Sequence, residues 1–367
     1  KTANVYKMVW RVSSKQDSLL LGGLIFSLSM ISCLAHYDRA YMRNADDGFT
    51  IRENWLNDIR DDAKLSELAL PGTHDSATYN YNSVFLDILK TQILSFDEQL
   101  NYGIRFFDIR VRHINNVFTL HHSQFYLHLD FNDFLRSVDT FLQRQPSETV
   151  LFRLKQEQTE EDNNRSLKET LKSYIDMYQS KWLNTSNKTI DLGSARGKFI
   201  ILADDQQFLP FGIDYESIRP YTQDEYDFKS NWDLYHKWEV VKSQLETAKN
   251  GDPNEIYMNY LSGSGWLSFP YFVASGHMTR GTSASRLSTG LVTPLFNYRY
   301  PDFPRVACFL GMCTIAFEGT NILTKDKIIS YNKNIKNQRR SVGIIIADFP
   351  GDWLISVVIE NNAALRK

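Results

Sequence analysis

The chain has 367 residues, of which 43% are hydrophobic, and its formal net charge is −2. That content is ample for a sizeable core, while the near-neutral balance lacks the basic excess that a nucleic-acid or general polyanion binder needs. Three cysteines are too few for a disulfide scaffold.

The first segment differs from the rest. Lys1, Lys7, Arg11 and Lys15 precede an uncharged run from Leu19 to Ala35 that ends Ser32-Cys33-Leu34-Ala35. A basic stretch, an apolar centre and small residues at the end fit a secretory signal cleaved after Ala35. The run is also just long enough for an uncleaved membrane anchor, and a buried helix is the remaining reading. Residues 36–65 form a lead-in. Beyond them, strand-like runs fall at 66–70, 104–112, 117–121, 150–156, 198–203, 256–261 and 342–349. Helical patterns fall at 83–100, 131–144, 166–182, 232–249 and 352–364. No linker divides 66–367, so one α/β domain with parallel strands under covering helices is predicted. The stretch from Gly281 to Asn321 interrupts the alternation like an insertion. A lid, a membrane-contacting loop and an ordinary surface excursion are all open for it. Within it, Cys308 and Cys313 are close enough to bridge after export.

Charged residues inside the apolar strands carry the chemistry. Side chains alternate faces along a strand, so Asp108, Arg110 and Arg112 point one way while Phe107, Ile109 and Val111 point the other. Lys155 and Glu157 repeat the device. Unpaired buried charge costs several kcal/mol, roughly 2–5, so such residues are paired or functional. Arg105 and Arg112 have structural ion pairing as the competing role. Two imidazoles with complementary protonation states, next to a guanidinium, suit cleavage of a phosphate ester. His74 follows the first strand, and the adjacent His121 and His122 face opposite ways, so only one of them can reach a common site. Chemistry gathered at strand ends favours a (β/α) barrel over an open doubly wound sheet. There is no glycine-rich nucleotide fingerprint.

Pro71-Gly72-Thr73-His74-Asp75-Ser76, Arg105-Phe106-Phe107-Asp108-Ile109-Arg110 and Leu120-His121-His122 together resemble the X domain of phosphatidylinositol-specific phospholipases C, nearest to the secreted bacterial type. Pro146-Ser147-Glu148-Thr149 and Leu154-Lys155-Gln156-Glu157 fit the next segment of that pattern. The resemblance implies a distorted (β/α)8 TIM barrel. It also implies His74 as general base, His122 rather than His121 as general acid, Asp348 orienting His74, and Asp75 serving His122. Arg110 would stabilise the phosphoryl transition state, with Asp108 holding it. Lys155 and Glu157 would line the headgroup pocket. In Gln223-Asp224-Glu225-Tyr226, Asp224 would bind headgroup hydroxyls and Tyr226 would stack on the ring. Asp204 stands where the bacterial relatives place a hydroxyl-gripping arginine, which leaves headgroup preference open.

The implied activity is cleavage of phosphatidylinositol, or a glycosylated form of it, to diacylglycerol and a cyclic inositol phosphate. A phosphodiesterase for another headgroup and a non-catalytic membrane- or protein-binding barrel are the alternatives. No cofactor and no metal are expected, because Arg110 supplies the positive charge that a calcium ion would otherwise bring. The expected partner is a phospholipid at a membrane surface, met by a secreted monomer that is open to membrane association and does not bind nucleic acid.

Overall fold

Parallel strands under helices are what the chain builds. The computed structural model describes residues 38–42, 44–81, 86–265, 268–278, 288–292, 299–310, 312–333 and 341–367. The predicted signal or anchor over 1–35 lies outside them. Among the described residues no helix is long and apolar enough to cross a membrane.

The strands, in chain order, are β1 (Leu70–Thr73), β2 (Phe106–Ile114), β3 (Val117–His122), β4 (Phe125–Asp130), β5 (Val150–Gln156), β6 (Phe199–Asp204), β7 (Ile213–Asp214) and β8 (Thr222–Gln223). They continue as β9 (Asp227–Phe228), β10 (Met258–Tyr260), β11 (Ser264–Gly265), β12 (Ser288–Val292), β13 (Arg305–Phe309), β14 (Met312–Ala316) and β15 (Ile344–Ala347). The main sheet runs β7-β6-β5-β2-β1-β15-β10-β8, with every neighbouring pair parallel. It curls into an incomplete barrel, the distorted (β/α) form. An antiparallel hairpin, β3–β4, continues from β2. β12, β13 and β14 form a separate antiparallel sheet within a second compact unit, and this is what the described part of the predicted insertion becomes.

The two faces of the sheet separate as the alternation predicts. Phe107 and Phe152 face the helix Phe131–Arg144, whose Phe134 ring lies 5.3 Å from Phe107 and 5.1 Å from Phe152. Phe131, Phe134, Leu135, Val138, Phe141 and Leu142 form the buried stripe of that helix at three- and four-residue spacing. Asp130 caps its start, accepting from the Asp133 amide at 3.1 Å. On the other face, Asp108 stands beside Arg153 and Arg110 beside Lys155, because β2 and β5 pair in that register. Charge therefore collects inside the barrel, at the carboxyl ends of its strands.

Several boundaries differ from expectation, three of them with a visible cause. The first strand begins at Leu70 rather than Ser66, because Leu65–Glu67 makes a 3-10 turn tied by Glu67 to the Lys64 amide at 3.0 Å. The helical pattern at 83–100 yields Leu86–Leu89 and, after a break, Phe96–Asn101 with a Ser95/Glu98 capping box. The last helix stops at Glu360 because Asn361 and Asn362 turn their side chains onto backbone groups of Val342 and Ala69. A helix at Thr320–Asn332 had no clear periodic signal, since its buried face includes Thr320, Asn321, Thr324 and Lys325.

Candidate active site

β1 and β15 lie side by side with Thr73 opposite Ala347, so the next residue of each strand, His74 and Asp348, project together. His74 Nδ1 donates to Asp348 Oδ1 at 2.8 Å. Asp75 follows with a φ of 41°, a left-handed conformation that aspartate tolerates better than most residues. The turn sets Asp75 Oδ2 3.3 Å from Nε2 of both His74 and His122. His122 Nδ1 donates to the Leu89 carbonyl at 2.8 Å, which leaves its Nε2 facing Asp75 and the cavity.

Arg110 closes the cluster. Its guanidinium lies 2.7 Å from Asp75 Oδ1, 3.0 Å from Asp108 Oδ2 and 3.2 Å from Glu157 Oε1. Arg110 Nη2 also sits 2.9 Å from His74 Nε2. Ligand atoms of His74, Asp75 and Asp108 converge within 4.8 Å, a donor set able to hold a cation. The Arg110 guanidinium touches all three members of it. Lys155 pairs with Glu157 at 3.4 Å.

Electrostatics follow from this packing. Burial opposes the charge on His74, but the Asp75 and Asp348 carboxylates outweigh it and raise its pKa to about 9. Burial pushes the Asp348 carboxyl up, with the nearby His74 pulling against it. Burial would also raise Asp108 and Asp75, yet Arg110 leads the opposing charges and holds both low. The Arg110 contact with Nε2 opposes the two carboxylates, since a guanidinium can donate there only to neutral His74, whose proton then sits on Nδ1.

The cavity over this cluster has a volume of about 440 Å³, and His74, Asp75, Arg110, His122, Lys155, Glu157, Asp224, Tyr226 and Asp348 all line it. Asp108 lies just beneath, buried under Arg110. Tyr226 is 62% exposed at the rim. Burial raises the Asp224 carboxyl, opposed by the charges of His74 and Arg153. His121 is turned away, bonded to Thr119 Oγ1 at 3.1 Å. Arg105 and Arg112 take structural pairs, with Glu148 at 2.8 Å and Glu161 at 2.6 Å.

Asp204 is the correction. It does not line the cavity; it binds Arg153 Nε at 2.8 Å and Arg219 Nη2 at 3.0 Å. Arg153, from the adjacent strand, lines the cavity instead and donates to the Tyr260 hydroxyl at 3.1 Å. A guanidinium thus reaches the cavity from position 153 on β5. A signal for it was available, since Arg153 shares the parity of Lys155 and Glu157.

Other supports had no sequence signal. Thr91 Oγ1 and Gln92 Nε2 donate to the His74 carbonyl at 3.0 and 2.8 Å, which is what the break in the predicted 83–100 helix achieves. Asn321 Nδ2 donates to the Asp348 carbonyl at 2.9 Å. Lys237, buried in its helix, donates to Gln223 Oε1 at 3.1 Å and to the Glu225 carbonyl, and so clamps the segment that carries Asp224 and Tyr226. Burial brings that amine down to about 7, opposed by Asp224.

Known proteins resemble the chain in sequence and in fold. Residues 68–204 match the family "Phosphatidylinositol-specific phospholipase C, X domain". A 1-phosphatidylinositol phosphodiesterase of Listeria monocytogenes is 26% identical over 322 residues, covering 84% of this chain and 85% of that relative. One from Staphylococcus aureus is 28% identical over 238 residues, covering 57% of this chain and 75% of the relative. The solved structure of phosphatidylinositol-specific phospholipase C from Listeria monocytogenes superposes with a TM-score of 0.62 at 23% identity, over 85% of this chain and 99% of that one. Residues 68–204 thus resemble the X domain of phosphatidylinositol-specific phospholipase C, and the chain shares the fold of the solved Listeria monocytogenes structure.

Proposed function

We propose that the protein is a phospholipase C that cleaves the phosphodiester of phosphatidylinositol. The observation that carries this is the placement of two imidazole Nε2 atoms, each 3.3 Å from one Asp75 oxygen, on one cavity beside a guanidinium. Neutral His74 takes the proton of the inositol 2-hydroxyl as that oxygen bonds to phosphorus. His122 returns a proton to the diacylglycerol oxygen as its bond to phosphorus breaks, so the products are diacylglycerol and a cyclic inositol phosphate. Arg110 meets the charge that develops on the non-bridging oxygens. Asp348 and Asp75 orient the histidines, and Asp108 holds Arg110. Lys155, Glu157, Asp224 and Arg153 offer polar contacts to headgroup hydroxyls and phosphate, with Tyr226 against the ring.

Metal independence belongs to the same reading, because Arg110 fills the space among His74, Asp75 and Asp108 that a cation would take. Export is supported by the basic and apolar pattern of residues 1–35 and by the Cys308–Cys313 disulfide. The decisive assay is cleavage across a panel of lipid headgroups after exhaustive chelation, with phosphorus spectroscopy of the released product. A cyclic inositol phosphate formed in chelator is the expected result. Activity that appears only on calcium addition overturns the part given to Arg110, and turnover of a different headgroup alone overturns the substrate.

A further inference from the structure

β13 ends in Cys308-Phe309, Leu310 follows, and β14 begins Met312-Cys313; this tip has no charged side chain. Phe309 and Met312 stand opposite each other across the hairpin, exposed by 52% and 46%, and Leu310 between them is 85% exposed. A disulfide joins Cys308 to Cys313 and closes the hairpin directly behind these side chains.

Leu310 is the telling residue. Its φ is 47°, in the left-handed region where asparagine, aspartate or glycine is the usual occupant of a hairpin turn. Leucine there gains nothing from the backbone conformation, and at its exposure it gains nothing from burial in its own fold. Its chemistry is accounted for once the tip meets something apolar. A second copy or another folded protein suits it poorly, since a stable protein interface takes about 800 Å² per partner and three side chains offer far less. An acyl-chain layer has no such requirement, because each apolar side chain partitions into it on its own.

From these observations we infer that the disulfide-closed tip Phe309-Leu310-Met312 is a membrane anchor, which inserts into the apolar layer of a lipid bilayer. The inference rests on the substrate class proposed above. The cavity is lined mainly by charged and polar groups, so it accepts a headgroup while the acyl chains stay in the bilayer, and catalysis then requires residence at that surface. The disulfide holds the tip in shape before contact, so little ordering is lost on insertion.

The test uses the full chain with Leu310→Asn, Leu310→Ser and the Phe309→Ser/Leu310→Ser/Met312→Ser combination. Flotation with vesicles of phosphatidylcholine and phosphatidylinositol is measured beside hydrolysis of a short-chain phosphatidylinositol below its micellar concentration. Each single change should weaken vesicle binding about tenfold or more, with a parallel loss of vesicle hydrolysis and unchanged turnover of the dissolved substrate. Leu310→Asn should keep or raise the thermal midpoint, since asparagine suits the left-handed backbone, so its loss of binding cannot be blamed on misfolding. Unchanged flotation of the folded triple variant overturns the anchor, as does a triple variant that still floats but no longer self-associates in sedimentation. A wild-type chain that floats yet cleaves neither substrate leaves the anchor standing and overturns the enzymatic reading instead.

Discussion

Arg105 and Arg110 leave opposite faces of the same strand path five residues apart, and both meet carboxylates. Arg105 is consumed by the fold. Its side chain is 0% exposed, it pairs with Glu148 at 2.8 Å, and its remaining donors reach the carbonyls of Leu100, Ile104 and Glu53. Arg110 is 14% exposed and contacts three carboxylates and a histidine around an open cavity. Local sequence does not distinguish them; what does is whether every donor is spent on the protein and whether space remains for a ligand. A saturated arginine holds structure, and one at the wall of a cavity keeps a side open to a ligand.

The largest effects should come from the cavity side. His74→Ala and His122→Ala should each lower turnover by about 10²–10⁴-fold, and Arg110→Ala by about 10²–10³-fold, with unfolding midpoints close to wild type. Steady-state kinetics beside urea denaturation checks this, and unfolding in step with inactivation would erase the contrast with Arg105. On the other face, Arg105→Met should cost about 3–5 kcal/mol of stability, because Glu148 is left charged and unpaired. Adding Glu148→Met should recover part of that loss. A folded, fully stable single variant would show that the buried pair does not do what its saturation implies.

Arg153 sharpens the comparison, since it is nearly as buried as Arg105 yet lines the cavity. Arg153→Met should raise KM for phosphatidylinositol by about ten- to a hundredfold, as expected for losing a charged hydrogen bond to substrate. Asp204→Asn should do so more weakly by loosening Arg153. Asp204→Arg should impair the enzyme, because it sets a second guanidinium against the first. A drop in KM for that variant would restore position 204 to the headgroup pocket.

Smaller still are the shifts in pH dependence. His74, raised from 6.5 to about 9, must lose its proton to act as base, so kcat/KM should climb toward alkaline pH. Asp348→Asn removes a carboxylate that favours the imidazolium and should move that limb to lower pH. Arg110→Gln removes the opposing cation and should move it higher. The same elevation stabilises the fold fully below about pH 6.5, a contribution lost as pH rises through about 9. An ascending limb indifferent to both substitutions would remove His74 from the role of base. His121→Ala, facing away from the cavity, should change turnover least.

The sequence by itself determined which residues carry charge on which face. Period two along β2 and β5 separates Asp108, Arg110, Arg153 and Lys155 from Phe107, Ile109 and Phe152, and the helix Phe131–Arg144 is written in its own apolar spacing. These are local patterns, set by backbone geometry over a few residues, so they survive without knowledge of the fold. Tertiary structure decided everything that depends on register between distant strands. Asp348 meets His74 across 274 residues only because β1 and β15 are neighbours. Asp204 turns onto Arg153 rather than into the cavity because β5 and β6 pair in their particular register. Thr91 and Gln92 stand in a break of the helical pattern and donate to the part-buried carbonyl of His74, a contact that only the folded chain brings together.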